Sequence, residues 1–133
     1  MREIKFRAWD KKEKAMVYDV IVKGIWKSKI DPFTWFVEVI KDFDEFDEPI
    51  YFNPYDVEIM QYTGLKDKNN TEIYEGDLVE FVDLEGLYEI IFEKDYSRFA
   101  CKNIKNKKTL PLFYGRVKKV VGNIYENQEL IEE

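Results

Sequence analysis

The chain has 133 residues, a net charge of −6, 17% aromatic residues and no histidine. Without histidine the usual serine and cysteine triads and most zinc and haem sites are excluded. A chain of this length buries roughly two thirds of its unfolded surface, so it needs neither a metal nor a disulfide to fold.

Net acidity argues against non-specific nucleic-acid binding, since phosphate repulsion reaches across a Debye length of about 8 Å at physiological salt. The charge is segregated, however. Residues 41–48 hold five acids, whereas residues 100–119 hold seven basic residues and no acidic one. Segregation of this kind leaves room for a local basic face, or for head-to-tail pairing with a second copy. Ten Phe, nine Tyr and three Trp favour strands over helices. Cys101 is the only cysteine, which rules out an intrachain disulfide and predicts a reducing, cytoplasmic setting in a host cell. The charged start "MREIKFRAWD" does not read as a signal peptide, and the apolar runs are too short to span a bilayer, so no membrane partner is expected.

Taken in chain order, Ile4, Phe6 and Ala8 alternate with Glu3, Lys5 and Arg7, the period of a half-buried strand. "DKKEKA" is turn-like, and Met16, Tyr18 and Val20 resume the alternation, predicting a hairpin. Residues 31–43, "DPFTWFVEVIKDF", fit two readings. Asp31-Pro32 suits a helix start, and Phe33, Phe36, Val37, Ile40 and Phe43 fall on one helical face. The β-branched and aromatic content of "TWFVEV" tips the balance narrowly towards strand. "KDFDEFDEP" is an acidic loop and the best candidate boundary, dividing the chain into residues 1–56 and 57–133, as two subdomains or as one domain with a shared core.

The second part opens with a strand over 57–62 that ends at Thr63-Gly64. A tight turn follows at Asn69-Asn70, residues that tolerate positive φ. "EGD" and Glu85-Gly86 are further turns, and "LVEFVD", "LYEIIFEKD", "FACKNI" and "GRVKKVVGNIYEN" are further strands. The fold class is therefore mainly β, or β-rich α+β: an N-terminal hairpin subdomain followed by a small C-terminal barrel of SH3-like size. Asn127 caps a short terminal helix in this reading.

Few motifs carry chemistry. Cys101, beside Lys102 and Arg98, reads as a buried core residue in preference to an activated thiolate. The acids at 42–48 lack the spacing of an EF-hand loop, so a solvated loop or protein-binding patch outweighs a metal site. No phosphate-binding glycine motif occurs, and Gly64 and Gly76 read as turn residues. No catalytic residue, metal ligand or cofactor is assigned. The remaining stretch is "CKNIKNKKTLPLFYGRVKK", where Lys105, Lys107, Lys108 and Arg116 surround Phe113 and Tyr114. Such interleaving suits a single-strand platform, although lysines guarding an edge strand explain it more economically.

Three segments, "REIKFRAWDKKEKAMVY", "IMQYTGLKDKNNTEIYEGDLVEF" and "VVGNIYENQELIEE", resemble the YopX family of bacteriophage and prophage proteins. The resemblance implies a β-rich fold with a compact C-terminal barrel, no recognised catalytic residues and no established molecular function. Its recurring positions here include Phe6, Arg7, Trp9, Thr63, Gly64, Tyr74, Gly76, Asp77, Gly122, Asn123 and Tyr125, which read as turn and core residues. Arg7 and Asp77 are the polar exceptions, and an ion pair between them is expected to tie the first hairpin to the barrel. The expected function is that of a non-enzymatic phage accessory protein acting through protein–protein contacts. A homo-oligomer is the first expectation and another phage or host protein the second. Nucleic-acid binding by residues 102–119 is the alternative, and a metal-dependent enzyme ranks last.

Overall fold

The computed structural model describes residues 3–27, 35–112 and 116–132, and of residues 24–27 and 35–37 the backbone alone. The chain forms two compact units, residues 5–60 and a second unit of residues 61–133 with the first four residues, so the division falls between Met60 and Gln61. It lies inside a strand, four residues beyond the point the sequence suggested.

The first unit is built from β1 (Phe6–Asp10), β2 (Ala15–Lys27), β3 (Trp35–Phe43), β4 (Pro49–Tyr51) and the start of β5 (Val57–Lys66), in the order β4-β3-β2-β1-β5. Asp10 organises the β1–β2 turn: its Oδ1 accepts from the backbone N–H of Lys12 at 3.0 Å and of Glu13 at 3.1 Å. The register is Ala8 opposite Val17, Arg7 opposite Tyr18, and then Phe6 opposite Val20. Asp19, at φ 56°, is the extra residue of a bulge. A bulge inverts side-chain parity, because every residue beyond it moves to the other face. Val17 and Val20 therefore share the core side with Ala8 and Phe6, and Tyr18 is exposed. The simple alternation of Met16, Tyr18 and Val20 is thereby corrected, whereas Arg7 keeps the face opposite to Ala8, across from Tyr18, and is 2% exposed there.

Residues 35–43 form a strand paired with β2, as the β-branched and aromatic content favoured, while residues 31–34 lie outside the described residues. Asn53 accepts from Tyr55 N–H at 3.0 Å and starts a single 3-10 turn, Pro54–Asp56, that leads into β5.

The second unit continues β5 and adds β6 (Glu72–Tyr74), β7 (Asp77–Phe81), β8 (Tyr88–Glu93), β9 (Arg98–Asn103), β10 (Thr109–Pro111) and β11 (Val117–Asn123). Its five-stranded antiparallel sheet has the order β10-β9-β8-β7-β11. Ile73, Val79, Phe81, Tyr88, Ile90, Cys101, Leu112 and Val117 form the core. The mainly β expectation holds. Two local details differ. The strand expected to stop at Thr63-Gly64 runs on to Lys66, with Gly64 (φ 87°) in an irregular stretch of its pairing with β6. The terminal helix is one 3-10 turn, Gln128–Leu130, which the Asn127 side chain does not cap.

Candidate functional site

The middle segment of the sequence is held by carboxylates that accept backbone N–H bonds. Asp67, 7% exposed, receives Asn69 N–H at 2.8 Å and Thr71 N–H at 2.9 Å on Oδ1. Its Oδ2 receives Val120 N–H at 2.9 Å, from a strand 53 residues further on. Burial works against its charge, but those backbone bonds and the Thr71 side chain outweigh it and hold the carboxyl below its ordinary pKa. Asn70 takes the positive φ (67°) that the turn requires. Asp77, 2% exposed, accepts from Tyr74 N–H at 2.8 Å across the tight turn carrying Gly76 at φ 84°. Gly76 itself donates to Ile90 O and accepts from Ile124 N–H.

In "GNIYEN", Asn123 Oδ1 accepts from Tyr125 and Glu126 N–H at 3.0 and 2.8 Å. The Asn127 carboxamide folds back over Gly122 to accept from Asn123 N–H at 3.1 Å. Asn127 thus closes the loop at the end of β11, which explains why it does not cap the turn that follows. Arg7 is buried, with its guanidinium 5.9 Å from the Tyr18 ring centroid, and Trp9 is half-buried.

The basic stretch divides. Lys105, Lys107 and Lys108 are exposed on the β9–β10 turn, and Arg116 is exposed just before β11. Strands β10 and β11 lie at opposite ends of the sheet order, so the stretch is not one hairpin. Phe113 and Tyr114 lie outside the described residues. The lysine turn is preformed: Asn103 Oδ1 accepts from Lys105 N–H at 2.9 Å and Asn106 N–H at 3.0 Å, and Lys107 sits at φ 64°.

The acids at 42–48 occupy the end of β3 and the β3–β4 turn. Asp44 Oδ1 accepts from Phe46 N–H at 2.8 Å and Glu48 N–H at 2.9 Å, while Asp47 takes φ 61°. This geometry lifts Phe46 to the tip, 77% exposed. Reading by residue type gave the acidic loop but not the aromatic at its apex, because hydrophobicity alone marks a Phe for the core. Among the described residues no group of three or more acidic or thiol side chains converges as metal ligands. Cys101 is 1% exposed, and burial pushes its thiol up to about 11 against weaker opposing backbone interactions. No described helix is long and apolar enough to cross a membrane.

Residues 5–132 match the family described as YopX protein. The chain belongs to the YopX family. It is similar to the crystal structure of protein EF1440 from Enterococcus faecalis, with 28% identity, a TM-score of 0.60, and coverage of 99% of this chain and 100% of that one. No curated protein matches it. In this YopX chain the segments that carried the family resemblance supply the Asp67, Asp77 and Asn123 turns and the core around Ile73, Val79 and Phe81. The acidic β3–β4 turn and the lysine turn fall outside those segments.

Proposed function

We propose that this YopX chain is a non-enzymatic accessory protein of a phage or prophage that acts in the host cytoplasm by assembling with further copies of itself. The observation supporting this most is the placement of exposed charge on two preformed turns of different units. One bears Asp44, Glu45, Asp47 and Glu48, with Asp42 just before it in β3, and the other bears Lys105, Lys107 and Lys108. Holding each turn by its own side-chain-to-backbone bonds removes ordering entropy from association. A nucleophile–base pair of the usual kind has no histidine to draw on, and the one thiol is protonated at neutral pH.

A charge-reversed variant, Lys105→Glu with Lys107→Glu and Lys108→Glu, tests the reading by sizing and by anisotropy with a labelled single-stranded oligonucleotide. Self-assembly predicts that the variant's assembly weakens, and that wild-type assembly weakens as salt rises. The exposed lysines favour a second reading, a single-strand-binding module. It predicts instead that assembly is unaffected, while wild-type affinity for the strand falls linearly in log salt and is lost in the variant.

A further inference from the structure

Between the lysine turn, the β7–β8 turn and the C-terminal 3-10 turn of the second unit lies a groove of about 570 Å³. That is within the roughly 300–1,000 Å³ of ordinary binding pockets. Its apolar lining is Leu87, Ile104 and Leu130, of which Leu130 is 40% exposed. Lys105 and Glu85 also line it. The floor is fixed, because Ile104 N–H donates to Leu87 O at 3.0 Å and Asn103 holds the lysine turn. Gly86, at φ 96°, passes so close to Asn103 that an added Cβ would come within 3.1 Å of its Nδ2.

We infer that this groove receives the Phe46 tip of a second copy of the chain. This rests on the self-assembly reading and gives it an apolar anchor. Phe46 is the most exposed large hydrophobic residue among those described, and its turn is too well bonded for the ring to be tucked away cheaply. Its flanks Glu45, Asp47 and Glu48 are carboxylates, opposite in charge to Lys105 of the groove lining and to Lys107 and Lys108 of the same turn. A buried aromatic within a rim of charge is the usual composition of an interface anchor.

Tip and groove are different surfaces of one chain, so the contact is heterologous, and each copy offers one of each. Such contacts propagate into a ring or an open filament.

The test uses the full chain with Phe46→Ser, which removes the anchor, and Leu130→Asp, which places a like charge in the groove. Both positions are exposed, so melting temperatures should match wild type, and Leu130→Ser replaces Leu130→Asp if that variant melts early. Sedimentation velocity is run on wild type, each variant and an equimolar mixture of the two. The inference predicts that each variant alone associates about 30-fold more weakly than wild type or worse. The mixture should give a discrete dimer, since one intact tip and one intact groove remain. If both variants assemble like wild type, the inference is overturned while self-assembly stands. If the mixture stays monomeric, the heterologous pairing is wrong. Wild type that is monomeric throughout would overturn both readings.

Discussion

Asp67→Asn keeps the shape of the side chain but changes what it can accept. The amide oxygen can still receive Asn69 and Thr71 N–H, as Oδ1 does at 2.8 and 2.9 Å. The new NH2, however, faces the Val120 N–H that Oδ2 accepts at 2.9 Å, donor against donor. Hydrogen bonds to charged groups contribute about 1.5–3 kcal/mol, and a buried donor left without a partner costs about 1–3 kcal/mol. Asn69 and Thr71 are exposed and can rehydrate. The loss therefore falls mainly on Val120, and a cost of about 2 kcal/mol follows. For a chain of this size that is roughly 8 °C in melting temperature. The substitution also alters the pH profile. Because the folded-state pKa of Asp67 is lowered, its contribution is full above the ordinary value of 3.8 and is lost as pH falls through the lowered one. Asp67→Asn should therefore flatten part of the acid limb as well as lower the neutral plateau. Thermal unfolding followed by circular dichroism from pH 2 to pH 7 measures both. A variant that melts within 2 °C of wild type and keeps the same acid limb would refute the claim that Asp67 clamps its turn to β11.

Gly76→Val should cost about 1–3 kcal/mol, because a β-branched residue is strained at φ 84°, and an unchanged urea midpoint would deny that strain. Gly122→Ala should destabilise by displacing the Asn127 carboxamide, whereas on an Asn127→Ala background the same change should cost less; equal costs in a double-mutant cycle would disconnect the two residues. Cys101 should label slowly with a thiol reagent at neutral pH and faster only under unfolding conditions, and stoichiometric labelling within seconds would contradict its burial and raised pKa.

The sequence made the turns legible where residue type fixes the backbone. Asn70 and Gly76 take positive φ, as their chemistry suggested, and the β-branched run of 35–43 became a strand. It concealed what depends on one residue doing an unusual thing. Asp19 at positive φ inverts the parity of β2, and nothing in "MVYDVIV" distinguishes that aspartate from an outward-facing one. Asp67 was hidden for a different reason. It looks like any polar turn residue until its second oxygen is seen to bridge 53 residues to Val120. Asn favours the start of a helix, yet here the preceding strand claims the Asn127 side chain. On the site, residue type marked both charged stretches, yet only the fold showed that the basic one divides between two sheet edges and that the acidic one carries an exposed Phe46.

Segregated charge and an exposed aromatic on preformed turns make self-assembly the central claim, and the mass of the wild-type protein tests it most directly. Multi-angle light scattering over a range of protein concentrations, at low and at high salt, should give a mass above the 16.1 kDa of one chain at low salt. That mass should rise with concentration and fall back towards one chain as salt screens the carboxylate–lysine contacts. A mass of 16.1 kDa at every concentration in low salt would contradict the account.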